Sequence, residues 1–233
     1  MNNPDQHAAG QAVPVITIDG PSGSGKGTIS LALAEHLGWH HLDSGALYRL
    51  LAYAALQQSL DLADEAALVA LAGRLSKSYH LPTREHPLIR LDGVDVSDAL
   101  RTESCADAAS RMAALPAVRE ALLAWQRHYR RPPGLIADGR DMGTVVFPDA
   151  TLKLFFTARP DVRARRRYNQ LKNKGINADF GVLLREVEAR DARDSARKAS
   201  PLKPAPDALI IDNSDLNELD TLQQVLEAVP AAL

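Results

Sequence analysis

Nine residues near the start of the chain have the types and spacing of a phosphate-binding loop. Four glycines, a lysine and a threonine directly follow the apolar run 13–18. Glycines let backbone N–H groups turn toward polyphosphate oxygens, the N-terminus of the next helix adds partial positive charge, and the lysine adds a full one. The pattern predicts ATP or a similar triphosphate as ligand rather than a bare glycine-rich turn. The predicted nucleotide contacts are Gly20, Pro21, Ser22, Gly23, Ser24, Gly25, Lys26, Gly27 and Thr28.

Two oxygen-bearing side chains are candidates for holding Mg²⁺. The residue after Lys26 is Gly27 instead of the usual serine or threonine, so the hydroxyl that orders the ion and its waters falls to Thr28. Asp138 follows the apolar run 135–137, and its carboxylate could orient the ion or its waters. The Gly-Lys-Gly-Thr ending of the loop resembles that of the nucleoside monophosphate kinases.

Two further segments place charged groups where an apolar run ends. Residues 43–49 lead from one such run into a helix and bring Ser44, Tyr48 and Arg49 to a helix N-terminus, where a second phosphate could bind. The alternative is a simple helix cap with a surface arginine. Residues 137–143 surround Arg140 with Asp138 and Asp141, and that arginine could grip a phosphate through two N–H groups. A structural Asp–Arg pair in a tight turn is the alternative there.

Two predicted helices carry basic side chains on one face. Arg163, Arg166 and Arg167 belong to a stripe whose mutual repulsion predicts an anion, and arginines that close over a migrating phosphoryl group would stabilise its charge. A solvated basic face or a polynucleotide-binding patch is the alternative. Arg190, Asp194 and Arg197 share a face of the second helix, which fits either sugar and phosphate recognition or a self-satisfied ion-pair ladder. The histidines show no metal-binding spacing, and His40 and His41 are interpreted as packing residues.

Composition excludes several classes of protein. Hydrophobic residues make up 45% of the 233 residues, which fits a globular core, and the net charge of −2 gives no global reason to expect a nucleic-acid partner. No run of eighteen apolar residues occurs and residues 1–12 are polar, so we expect no membrane span, no secretion and a cytoplasmic location. Cys105 is the single cysteine, which excludes an intrachain disulfide.

Apolar runs that alternate with helical patterns predict the fold. The runs 13–18, 39–42, 135–137, 152–157 and 208–211 suit a buried parallel sheet, and helices are expected between them. This predicts a doubly wound α/β fold with five parallel strands and ligands at their carboxyl ends. Residues 76–97 break the rhythm, with short strands at 77–81 and 88–96 and a tight turn at Asp92-Gly93. Beyond the irregular tail 1–12, the core would span 13–233.

Three long segments together resemble the bacterial cytidylate kinase family. They are 15–23, 42–49 and 134–148, and the likeness runs from residue 13 to about residue 213. The resemblance implies a phosphotransferase that moves the γ-phosphoryl group of ATP to CMP or dCMP with Mg²⁺, a monomer, a monophosphate-binding insert over 76–130 and a mobile lid over 159–197. The alternatives are a kinase that prefers another base, such as that of UMP, or a P-loop NTPase switch.

The resemblance also assigns roles by position. It implies that Arg49, Arg140 and Arg197 hold the acceptor phosphate, that Ser110, Arg119 and Asp141 read the cytosine, and that Arg190 and Asp194 contact the sugar. The implied catalytic set is Lys26, Arg140, Arg163, Arg166, Arg167 and Arg197. No general base is expected, because a monophosphate is already largely dianionic near neutral pH.

Overall fold

Five parallel strands form the centre of the protein in a computed structural model that describes residues 12–78, 89–197, 199–231 and 233. The strands are β1 (Val15–Asp19), β2 (His40–Asp43), β5 (Leu135–Gly139), β6 (Leu152–Thr157) and β7 (Leu209–Asp212), and they lie in the order β2-β5-β1-β6-β7. β1 is central and pairs with β5 on one side and β6 on the other. The predicted five-stranded parallel sheet is confirmed.

Helices cover both faces of the sheet. They are α1 (Lys26–Leu37), α2 (Ser44–Gln57), α3 (Glu65–Ser78), α4 (Glu103–Met112), α5 (Pro116–Arg127), α6 (Pro160–Asn173), α7 (Phe180–Ser195) and α8 (Glu218–Ala228). Side chains along β1 alternate between two cores: Val15 packs with residues of α2 to α5, whereas Ile16 and Ile18 pack with α1 and α8. Because β1 is buried on both faces, three of its five residues are apolar and adjacent apolar side chains point to opposite faces, although Thr17 and Asp19 are polar.

The inserted hairpin is smaller than the sequence predicts. β3 (Arg90–Leu91) and β4 (Val94–Asp95) pair antiparallel, and the turn residues Asp92 and Gly93 both have positive φ, as a two-residue hairpin turn requires. The strand predicted over 77–81 is wrong at its start, because α3 continues through Ser78, and the remainder lies outside the described residues. Ser-Lys-Ser has no strong preference of its own, so the preceding helix extends through it.

α6 and α7 form an antiparallel pair beyond the carboxyl ends of β6 and β1. α6 starts at a proline, which suits the first helical position, and α7 starts after Asp179, whose carboxylate accepts a hydrogen bond from Val182 N at 2.8 Å. None of the helices in the described ranges combines the length and the apolarity needed to cross a membrane.

Candidate active site

The glycine-rich loop joins β1 to α1 at the carboxyl edge of the sheet. A side chain at Gly20 would place its Cβ 2.3 Å from the carbonyl oxygen of Phe156, so only glycine fits there. Gly25, with φ of 85°, precedes α1 and has no side chain to cap it, and its carbonyl accepts from Thr28 N at 3.1 Å. The Lys26 Nζ donates to the carbonyl of Pro21 at 3.2 Å, which holds the ammonium group inside the loop.

Lys26 and Asp19 are two charged groups with displaced pKa values in this part of the sheet. Burial, followed by repulsion from Arg140, lowers the pKa of Lys26 to about 7. Burial raises the pKa of Asp19 to about 7, although N–H groups of Gly143 and Met142 favour its charged form. An arriving polyphosphate would favour the ammonium form of the lysine.

The N-terminus of α2 combines a cap with an ion pair. Asp43 accepts a hydrogen bond from Ala46 N at 2.9 Å and therefore caps α2. The other oxygen of this carboxylate accepts from Arg49 at 2.7 Å. Arg49 is therefore not the isolated surface charge of the alternative reading. The Ser44 hydroxyl donates to Gln126 Oε1 at 2.7 Å, which ties α2 to α5.

Asp138, at the end of β5, is held by two neighbouring side chains. Ser30 Oγ donates to Asp138 Oδ2 at 2.9 Å, and His41 Nε2 lies 3.0 Å from the same oxygen. Burial opposes a charge on His41, but the bond to Asp138 outweighs it and raises the pKa of the imidazole. The interpretation of His41 as a mere packing residue therefore misses an ion pair at the site.

Asp194 of α7 links two arginines. Arg140 donates to Asp194 Oδ2 at 2.9 Å, and Arg197 donates to Oδ1. Burial disfavours the carboxylate, yet the two guanidiniums outweigh that cost and lower the pKa of Asp194. The two arginines are thus fixed in position by one buried carboxylate.

Arg190 does not take part in that ladder. Its Nε is buried without a hydrogen-bond partner among the described residues, and burial, reinforced by repulsion from Arg140, lowers its pKa to about 10. The buried hydroxyl of Ser110 likewise finds no partner in the described structure. Buried polar groups are normally paired, so both atoms point to a ligand that supplies the missing contacts.

Asp141 and Arg119 form a second buried pair among the residues that line the cavity. Arg119 donates to Asp141 Oδ2, and both side chains are mostly enclosed. The Arg119 guanidinium carbon lies 6.0 Å from the ring centroid of Tyr48. Burial raises the pKa of Tyr48 to about 12, so this phenol stays neutral.

One cavity of about 220 Å³ brings these groups together. Six basic side chains and four carboxylates line it, a formal excess of two positive charges. The predicted substrate residues that line it are Ser44, Tyr48, Arg49, Ser110, Arg119, Asp138, Arg140, Asp141, Arg190, Asp194 and Arg197. Ser22, Lys26 and Gly27 of the loop line it as well. The phosphate loop and the arginine cluster therefore share one space.

The predicted lid arginines lie outside that cavity. Arg163 is buried and donates to both carboxylate oxygens of Asp191 and to the Ser22 carbonyl at 3.1 Å. Arg166 donates to the backbone oxygen of Asn213 at 2.7 Å. α6 is thus hydrogen-bonded to the phosphate loop through Arg163 and to Asn213 through Arg166.

Two further basic side chains, one in α6 and one directly before it, form ion pairs. Arg167 donates to Glu103, and Arg159 donates to Asp215 at 2.9 and 3.0 Å. The expectation that the stripe requires an external anion is therefore wrong for this conformation, because acidic residues distant in sequence neutralise most of it. Of the two predicted Mg²⁺ ligands, Asp138 lines the cavity and Thr28, which follows the lining residue Gly27, does not.

Sequence reasoning missed three buried residues that support the site. Asp19 accepts two backbone hydrogen bonds from residues 142 and 143, His41 binds Asp138, and Asn213 donates to the Ser24 carbonyl at 2.7 Å. Asp19 carries a recognisable signal, a carboxylate at the end of an otherwise apolar strand next to the loop. The other two positions carry none, since their partners are distant in sequence.

A family model and full-length relatives of this chain name one family. The family model described as cytidylate kinase matches residues 16–231. A cytidylate kinase from Azotobacter vinelandii is 56% identical over 216 residues, which cover 92% of this chain and 93% of that protein. One from Shewanella denitrificans is 52% identical over 225 residues, 96% of this chain and 99% of that protein. The chain belongs to the cytidylate kinase family.

Proposed function

We propose that this protein transfers the γ-phosphoryl group of ATP to CMP or dCMP, with ADP and the pyrimidine diphosphate as products. One observation carries the proposal: Lys26 of the phosphate loop and five arginines line a single cavity with an excess of positive charge. Two anionic nucleotides need such a space, because their facing phosphates repel each other in the absence of cations.

The acceptor would be held by three groups of residues. Its phosphate contacts are proposed to be Arg49, Arg140 and Arg197, and two of these arginines are already fixed by Asp194. Cytosine would be read by Ser110, Arg119 and Asp141, and the sugar by Arg190 and Asp194. The free Arg190 Nε and Ser110 hydroxyl support the proposal, because they lack protein partners in the described structure.

Transfer would rest on alignment and charge. The acceptor phosphate is largely a dianion above pH 6 or so, so no side chain needs to remove a proton. Lys26 and the cavity arginines would stabilise negative charge on the migrating group, which is where phosphoryl transfer needs it. We propose that α6 and α7, within the lid 159–197, close over ATP and bring Arg163, Arg166 and Arg167 nearer to it.

Mg²⁺ is proposed as the metal cofactor. The available donors fit it, because a threonine hydroxyl at the start of α1 and a carboxylate at the end of β5 are hard oxygen ligands. Among the described residues, no three His, Cys, Asp or Glu side chains form a metal cluster, and Mg²⁺ typically takes one or two protein oxygens together with phosphates and waters. Thr28 and Asp138 would hold it, and the bound ion would neutralise phosphate charge.

The remaining parts of the proposal concern organisation. We propose that residues 76–130 form the monophosphate-binding insert, since Ser110 of α4 and Arg119 of α5 line the cavity. We also propose a cytoplasmic monomer, whose mass of 25.2 kDa light scattering would detect. The single, buried Cys105 suits a reducing compartment.

A coupled ADP-release assay with CMP, dCMP, UMP, AMP and GMP tests the function. We expect rapid turnover with CMP and dCMP and little with the others. Faster turnover with UMP would move the protein to another base preference, and ATP hydrolysis that no monophosphate accelerates would support an NTPase switch instead.

A further inference from the structure

A short helical turn, Met142–Val146, follows β5. It starts directly after Asp141, one of the residues proposed to read the base. The first N–H groups of any helical turn have no acceptor within the turn itself. Because these N–H groups are buried here, each needs an oxygen from elsewhere.

Asp141 occupies the position that would normally supply that oxygen. Aspartate is among the preferred residues just before a helix, where its carboxylate accepts hydrogen bonds from the second or third N–H group. In this structure the Asp141 side chain makes no such bond. It binds Arg119 instead and lines the cavity.

Asp19 takes over the capping from the neighbouring strand. Met142 N donates to Asp19 Oδ1 and Gly143 N to Oδ2, both at 2.8 Å. Asp19 is only 4% exposed and does not line the cavity. A side chain at Gly143 would place its Cβ 2.9 Å from Thr17 Oγ1, so glycine lets the turn lie directly on β1.

We infer that Asp19 is a positioning residue for base selection: it caps the turn after β5 from outside, and thereby frees the Asp141 carboxylate to face the acceptor base. The inference rests on the proposed function for its kinetic consequences. The two carboxylate oxygens of Asp19 accept from the N–H groups of Met142 and Gly143, so the turn does not need the Asp141 carboxylate as a cap. Without Asp19, the Asp141 carboxylate, which stands at the capping position of the turn, would leave Arg119 and accept from its N–H groups.

The test is a double-mutant cycle with Asp19→Ala and Asp141→Ala. The measured quantity is the ratio of kcat/KM for CMP to that for UMP. We expect Asp19→Ala to lower the ratio about tenfold, as expected when a buried polar contact to the base is lost. In the Asp141→Ala background, Asp19→Ala should lower it no further, because its effect passes through that carboxylate.

Asn213→Ala is the matched control. Asn213 is buried as deeply, at 2% exposed, but its amide donates to the carbonyl of Ser24 in the phosphate loop, whereas Asp19 accepts from the turn after β5. This variant should raise the KM for ATP and leave the base ratio unchanged, whereas Asp19→Ala should affect mainly the KM for CMP. If Asp19→Ala fails to fold, Asp19→Asn enters the same cycle, since it retains one acceptor oxygen and should show part of the effect.

Two outcomes overturn the inference. One is an Asp19 variant whose base ratio stays within about twofold of the wild-type value, and the other is an equal loss with and without Asp141. A crystal structure of Asp19→Ala gives a reading that does not depend on activity: Asp141 should accept from the N–H group of Gly143 or Thr144 and release Arg119. Wild-type protein that does not phosphorylate CMP would refute the proposed function alone, and the crystal structure would still decide this inference.

Discussion

Lys26 should take up a proton when ATP binds. Burial and Arg140 lower its pKa to about 7 in the nucleotide-free protein, well below the usual value for a lysine. A bound triphosphate places several negative charges beside the ammonium group, which should return the pKa to about 10 or higher. The bound lysine is then charged throughout the neutral range.

The size of the effect follows from these two pKa values. At pH 8 about one tenth of the free protein carries the proton, so binding should take up about 0.9 proton per site. At pH 6 the lysine is already charged and uptake should fall to about 0.1 proton. Since binding takes up a proton above pH 7, the association constant for ATP should fall about ninefold between pH 8 and pH 9.

Isothermal titration of ATP, without acceptor, in buffers of different ionisation enthalpy measures the proton count directly. At pH 8 the terminal phosphate of ATP is deprotonated, so the protons taken up belong to the protein. Lys26→Arg is the control, because a guanidinium keeps its charge and should take up almost none. Uptake below about 0.3 proton in the wild-type protein, or equal uptake in the arginine variant, would refute the reasoning.

Three further predictions concern single residues. Arg190→Ala should raise the KM for CMP roughly tenfold to a hundredfold with little change in the KM for ATP, because charged hydrogen bonds are worth about 1.5–3 kcal/mol; equal effects on both substrates would contradict this. Asp191→Ala should destabilise the protein by about 3 kcal/mol in urea unfolding, because it leaves the Arg163 guanidinium buried beside carbonyls only; a loss under about 1 kcal/mol would contradict it. Ile211→Ala should lower the free energy of unfolding by about 2–5 kcal/mol in the same urea assay, because this side chain is fully buried. Ile210→Ala should lower it by less than about 1 kcal/mol, because this side chain is 57% exposed, and similar losses for the two variants would contradict the assignment of the core.

The parts of the fold that the sequence predicts well are those in which local pattern and burial agree. The mostly apolar run 152–157 matches β6 to the residue, because both faces of this strand carry buried side chains. The predicted residues that follow β2 and β5 meet at one cavity because the carboxyl ends of parallel strands lie at one edge, whereas Ser110 and Arg119 were expected there only from the family resemblance.

The features that were missed depend on partners far away in the chain. Asp191 neutralises Arg163 from another helix, and Glu103 does the same for Arg167, so counting charges along α6 alone overestimated the repulsion. The ion pair of His41 could not be predicted from its neighbours in the sequence, because its partner Asp138 lies in β5, which pairs with β2 only in the folded sheet. Helix propensity was also too weak a guide to decide between helix and strand after residue 76.

The strand order has a consequence for synthesis on the ribosome. β1 ends at residue 19, but β5, its neighbour in the sheet, begins only at residue 135. At about 5–20 residues per second, the residues between them take roughly 6–23 s to be made. During that interval β1, which is mostly apolar, lacks both of its neighbours in the sheet, β5 and β6, so nascent chains of this protein should bind chaperones that recognise emerging polypeptides.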